Sequence, residues 1–190
     1  MEVAVLSIPL SAIPEDFHLK TSVMHAVDGP LESITVDHIC ERSGISRSKF
    51  YELFSSKYDI GYWYLTFVYD VSLGRIGRDL DWRDGIRLCL DLFDQERTYF
   101  TYTSETPENV RSLFWLVQGD RERMVGEVLG ERGVTMTPKL QSEVRIYAKI
   151  VDLFLNDWVS SGQPLCSAED FVDIWLGCVP RELYEGLQLP

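Results

Sequence analysis

Six residues between positions 35 and 57 carry the donors that could read or grip a nucleic-acid duplex: Thr35, Arg47, Ser48, Lys49, Tyr51 and Lys57. A guanidinium pairs bidentately with the O6 and N7 edge of guanine, so Arg47 is the candidate for a base contact. Ser48 and Lys49 follow it directly and would face base edges or adjacent phosphates. Tyr51 offers its hydroxyl to a phosphate oxygen if Phe50 points inward. Thr35 and Lys57 stand at helix starts, where free N–H groups and the helix dipole favour an anion. Glu52 opposes this chemistry, because a carboxylate beside a groove repels phosphate unless a cation neutralises it. Each residue also has a plainer role open to it: Thr35 as a cap, Tyr51 packed on a neighbouring helix, Lys57 as a surface lysine.

The surrounding pattern predicts how these side chains are held. Thr35 precedes Val36 and can cap a helix running through Ile39 and Cys40. That helix should stop at Ser43-Gly44, since glycine tolerates the left-handed conformation common at a helix terminus. Ile45 drops into a small core and Ser46 caps the next helix, Arg47–Leu53, with Phe50 and Leu53 on its inner side. Phe54 anchors the exit. Ser56 and Asp59 resemble a capping box with Asp in place of Glu, opening a third helix. Closely spaced caps with apolar residues at the buried positions describe a helix-turn-helix with its trailing helix attached.

Beyond Lys57 the apolar spacing settles near 3.6 residues, which predicts long helices. Ile60, Trp63, Tyr64, Phe67 and Val71 form one stripe. After a break at Asp81-Trp82-Arg83, Ile86, Cys89, Leu90, Phe93 and Phe100 share the face of a second helix. Pro107 suits the first turn of a third, with Val110, Leu113, Phe114 and Val117, and Gly130 and Gly133 close that region as one helix or two. Pro138 opens a helix marked by Leu140, Val144, Ala148, Val151, Leu155 and Trp158, ended by Ser161-Gly162-Gln163-Pro164. The last helix begins near Ala168, with Phe171, Ile174, Trp175 and Cys178 on one side. Sustained strand-type alternation and internal repeats are absent, so the expected class is all-α. The expected organisation is an N-terminal arm (1–14), a three-helix head (15–56) and a helical regulatory and dimerisation domain (57–190).

The chain of 190 residues has a net charge of −12, from 18 basic and 30 acidic residues, which argues against a nucleic-acid partner at first sight. The acid is unevenly spread. Residues 20–60 hold five basic and six acidic residues, whereas 61–190 hold thirteen and twenty-one. The head is therefore near neutral, and Glu15-Asp16 stand just ahead of its first helix. Affinity for DNA should be modest and strongly salt-dependent, since phosphate contacts drive much of it. No apolar run is long enough to span a membrane, and the opening segment lacks the basic start of a signal peptide, so a cytoplasmic location is expected. Cys40, Cys89, Cys166 and Cys178 fall at wide spacings that predict buried, reduced thiols. His18, His25 and His38 lack metal-ligand spacing, and no nucleophile elbow, phosphate loop or dinucleotide fingerprint is present. An enzyme, a metal and a cofactor are not expected.

The run I34-T35-V36-x-x-I39-C40-x-x-S43-G44-I45-S46-R47-x-x-F50-Y51-x-x-F54-x-x-K57-x-D59-I60 resembles the DNA-binding segment of TetR-type transcriptional regulators. The likeness covers about thirty residues, or about forty-five with the preceding helix near Phe17–Val27. Gly29-Pro30-Leu31-Glu32 and the Lys57-Tyr58-Asp59 helix start resemble a subgroup that includes DhaS-like regulators. The resemblance implies an all-helical homodimer, a small DNA-binding head, and a larger C-terminal domain that often binds a small molecule. In that family the positions matching Thr35, Tyr51 and Lys57 commonly clamp the DNA backbone. The ending, D157-W158-V159-x-x-G162 and S167-A168-E169-D170, is similar to the helix pair that builds the family's four-helix dimer interface.

Two further site expectations follow. An effector cavity would be lined by Trp63, Phe67, Phe93, Phe100, Phe114 and Trp115, with Tyr64, Tyr99, Tyr102 and Tyr147 supplying hydroxyls. A dimer interface would use Val151, Leu155, Trp158, Phe171, Ile174 and Trp175, because one recognition helix covers only a half-site and paired heads read two. The expected function is a sequence-specific DNA-binding regulator, a repressor released from its double-stranded operator by a small-molecule effector. The rival is a dimeric helical module with a weakened DNA-binding head, acting through a protein partner.

Overall fold

Three short helices at the N-terminus are each set by a local signal. A computed structural model describes residues 8–104, 107–160 and 166–189, with the side chains of residues 10, 104, 107–118 and 160 outside the description. Helix α1 (Phe17–His25) buries Phe17, Val23 and Met24, and Asp16 pairs with Lys20 at 2.9 Å across its first turn. Helix α2 (Val36–Ser43) is capped by Thr35, whose hydroxyl oxygen accepts from the His38 N–H at 3.2 Å. Gly44 ends it with φ of +71°, a left-handed conformation that nearly any side chain would strain. Ser46 caps α3 (Arg47–Leu53) through the Lys49 N–H at 3.1 Å. The predicted caps and turn lie where the sequence put them.

Helix α4 (Asp59–Val71) follows a short turn in which Asp59 accepts from both the N–H and the hydroxyl of Ser56, at 2.9 and 3.1 Å. It buries Ile60, Tyr64, Leu65, Phe67 and Val68, while Trp63 is only half-buried. Past Ser72 the chain tightens through a 3-10 turn, Leu73–Arg75, and reverses at Gly77 with φ of +82°.

The remaining helices are α5 (Trp82–Gln95), α6 (Arg97–Ser104), α7 (Pro107–Glu131), α8 (Pro138–Ser160), α9 (Ala168–Gly177) and α10 (Arg181–Leu187). Among the described residues there is no strand, and the protein is all-α. Two boundaries differ from expectation, and a third that was left open is decided. The stripe from Ile86 to Phe100 is broken at Glu96, whose buried carboxylate accepts the imidazole of His25, so Phe100 belongs to α6. The region after Pro107 is a single helix that runs through Gly119, Gly126 and Gly130 and stops at Gly133, φ +71°. A short helix after Pro180, α10, was not anticipated, because seven residues carry little periodicity.

Polar side chains pin the larger part together from within. Tyr64 donates to the Leu92 carbonyl at 2.9 Å, Trp175 to the Tyr147 hydroxyl at 2.9 Å, and Trp158 to Asp94 at 2.8 Å. Arg121 of α7, almost fully buried, pairs with Asp152 of α8 and donates to the Tyr69 hydroxyl of α4 at 2.7 Å. Burial pushes the Asp152 carboxyl up to about 7 despite the pull of Arg121. Apolar packing is continuous from Phe17 and Phe54 through Trp63 and Phe67 into the core of α5–α9. No helix among the described residues is long and apolar enough to cross a membrane.

Candidate nucleic-acid interface

The outer side of α3 is formed by Arg47, Ser48, Tyr51 and Glu52, all exposed, because Phe50 on the opposite side is sealed in the core. Thr35 is also exposed at the start of α2. A hydroxyl can accept a cap hydrogen bond and still donate outward, so the capping of Thr35 leaves a phosphate contact open to it. Tyr51 is 49% exposed and has the Arg47 guanidinium 5.8 Å from its ring centre. It is not packed away on a neighbouring helix.

The basic groups of this surface are all engaged. Arg47 meets Asp37 at 2.5 Å, Lys49 meets Glu52 at 2.9 Å, and Arg42 meets Asp28 at 3.2 Å. Asp28 also accepts from His38, and that hydrogen bond, helped by Arg42, holds its carboxyl below the usual carboxylate range. These exposed pairs are individually weak, about 0–1 kcal/mol, so a polyanion can displace them. Glu52, the residue that most offends a phosphate, is the one that Lys49 neutralises.

Lys57 behaves differently from the others. Its ammonium is half-buried and donates to the carbonyls of Leu31 and Ile34, the latter at 2.7 Å. It therefore ties the start of α4 to the loop before α2, which makes it neither an ordinary surface lysine nor a freely presented phosphate donor. Tyr58 beside it is 49% exposed, with the Lys57 ammonium 5.4 Å from its ring centre. Sequence spacing gave no reason to single out Tyr58; its place directly before the first residue of α4 was the available signal.

No protein-family model matches this chain, and no curated protein matches its sequence. What the surface can do follows from its own geometry. A doubly capped turn presents Arg47, Ser48 and Tyr51 outward on a helix of about two turns, with flanking donors at Thr35 and Lys49.

The other expected sites fare unevenly. Trp63 and Phe67 border an open groove of about 500 Å³ beside Phe54 and Pro14. Phe93 and Phe100 instead pack on each other in the closed core, ring centres 5.0 Å apart, and do not line that groove. The side chains of Phe114 and Trp115 lie outside the described residues. The hydroxyls of Tyr64 and Tyr147 are committed to Leu92 and Trp175. Of the expected interface residues, Val151, Leu155, Trp158 and Trp175 are buried within the protomer and Phe171 is half-buried against Trp158, ring centres 4.7 Å apart, whereas Ile174 is exposed. The exposed apolar side chains of α8 are Ile146 and Leu153, positions that an inward-facing stripe skips. Cys40 and Cys89 are buried thiols as expected, but Cys178 is exposed.

Proposed function

We propose that this chain is a sequence-specific DNA-binding transcriptional regulator of TetR type, a cytoplasmic homodimeric repressor released by a small molecule. The observation that carries this is the outward presentation of Arg47, Ser48 and Tyr51 on a helix whose opposite side, Phe50, is locked in the core. A major groove admits such a helix, and a guanidinium at its start is placed to reach guanine. Pairing of two copies through Ile146, Leu153 and Ile174 would set two such helices on adjacent half-sites.

The test is a titration of the purified protein against DNA from its own upstream region, across a range of salt. Sequence-dependent binding with a steep salt slope, losing its sequence preference in Arg47→Ala, supports the regulator. Absence of binding even at low salt removes it.

A second function class keeps one specific observation in its favour. Arg42, Arg47 and Lys49 all face carboxylates of the same surface, and Lys57 is spent on backbone carbonyls. A surface balanced in this way suits a protein partner better than a phosphate backbone, and the low-salt titration decides between the two.

A further inference from the structure

We propose that the seam between the N-terminal helices and α4 binds an amphiphilic organic cation, with Asp70 as its counter-charge and Trp63 and Phe54 as its apolar wall. The proposal rests on the effector half of the regulator assignment and names the ligand class for it.

Two clefts meet along α4. The first, about 500 Å³, is bordered by Phe54, Trp63 and Phe67 at the seam; the second, about 430 Å³, runs toward Asp120 and Glu127 of α7. Tyr62, Thr66 and Asp70 border both, so Asp70 stands where the apolar and polar halves join. Volumes of this order suit a drug-sized molecule. An occupant with an aromatic end and a charged end would lie along both.

The sign of that charge follows from what is already neutralised. Arg78 pairs with Glu131 at 2.5 Å, and Arg123 pairs with Glu127 at 2.8 Å and with Asp120 at 3.5 Å. Arg121, at the floor of the polar half, is held by Asp152 and Tyr69. Asp120 additionally accepts from the Tyr62 hydroxyl at 3.1 Å. On the apolar side Asp59 is occupied by Ser56, and the ammonium of Lys20 near the Trp63 ring is neutralised by Asp16. Asp70 alone among these carboxylates has no hydrogen bond or close ion pair among the described residues, and Arg123 and Arg78 reach it only through longer-range attraction. An anion entering here would meet an excess of carboxylates, whereas a cation would complete the set.

Although the residue is exposed, desolvation and the repulsion of Asp120 outweigh the pull of Arg123 and Arg78 and hold the Asp70 carboxyl above its ordinary value. An acid whose surroundings disfavour its charge gains from an incoming cation. The rings supply the other half, since aromatic faces attract cations and the Trp63 and Phe54 rings already have Lys20 at 5.6 and 5.8 Å. A ligand wedged against Phe54 and Trp63 presses on the contact, ring centres 6.0 Å apart, that joins the end of α3 to α4.

The test uses two ions of one shape and opposite charge, tetraphenylphosphonium and tetraphenylborate, titrated calorimetrically into the full chain without DNA. Tetraphenylphosphonium is expected to bind and tetraphenylborate to bind at least about tenfold more weakly, a difference well within the reach of one partly desolvated charge. Asp70→Asn should weaken the phosphonium by about tenfold with an unchanged melting temperature. Thr66→Trp, which fills the groove from its middle, should remove binding. Equal binding of the two ions, full affinity in Asp70→Asn, or no phosphonium binding would each overturn the site. Because DNA is absent, a failed operator titration leaves this result standing, and a failed phosphonium titration leaves DNA recognition untouched.

Discussion

Arg47 and Asp37 face each other across the turn between α2 and α3, the guanidinium 2.5 Å from the carboxylate and both side chains more than half exposed. On the proposed function, the residue that would read a base is thereby tethered to the preceding helix by an acid that DNA would have to displace. Asp37→Asn should release it. Affinity for DNA is expected to rise about three- to tenfold, and the salt slope to steepen by about one counterion, as one uncompensated cation joins the interface. Gel-shift titrations at two salt concentrations measure both. Unchanged affinity would mean that Arg47 stays off the duplex.

Lys57 makes a contrasting case, because its ammonium serves the fold. Lys57→Met removes the hydrogen bonds to the Leu31 and Ile34 carbonyls and should cost about 1.5–3 kcal/mol, the usual worth of charged-group hydrogen bonds. Urea unfolding would register this as a lower midpoint at constant slope. The salt dependence of DNA binding should stay where it was. A variant of full stability with a shallower salt slope would assign Lys57 to a phosphate instead.

These two lysine and arginine contacts also mark what sequence could and could not reveal. Thr35, Gly44 and Ser46 were legible because caps and left-handed turns are decided within four residues of chain. The partners of Arg47 and Lys57 were not, since Asp37, Leu31 and Ile34 reach them only after the loop folds back. The partner that holds Glu96 at the break was hidden for the same reason: it is His25, seventy-one residues away. Phe93 and Phe100 looked equivalent to Trp63 and Phe67 in their spacing, but only the packing of α1 and α3 against α4 determines which aromatics meet a cleft. Leu153 and Ile146 were missed because an amphipathic stripe identifies the buried face, and these two lie on the exposed one.

His25 and Glu96 join α1 to the end of α5 at 2.7 Å, with the carboxylate almost fully buried. That hydrogen bond outweighs the burial that opposes it and raises the imidazole above its ordinary 6.5. A group whose folded value is raised stabilises fully below its unfolded value, and the contribution is lost as pH climbs through the folded value. The stability difference between the protein and His25→Gln should therefore be largest in mild acid below 6.5 and shrink toward alkaline pH. Chemical denaturation across that range checks it. A difference independent of pH would show that the imidazole contributes only packing.

In the proposed dimer, pairing of two copies would be decided by side chains that the protomer leaves uncovered. Ile146 and Leu153 lie seven residues apart on α8, and Ile174 lies on the adjoining α9, at 57%, 67% and 52% exposure. Seven residues are two helical turns, so Ile146 and Leu153 share a face. Val151, Leu155 and Trp158 on the same helix point into the protomer, where substitution would unfold it rather than separate two copies. Ile146→Glu with Leu153→Glu places charge on the shared face while touching little of the core. Melting should shift by less than about 0.5 kcal/mol equivalent per site in a monomer, as surface changes usually do. Sedimentation velocity is expected to show a dimer for the parent chain and a protomer for the double variant at the same concentration. DNA affinity should fall with it, since a single α3 covers only a half-site. An unchanged sedimentation coefficient in the double variant would move the dimer contact away from α8.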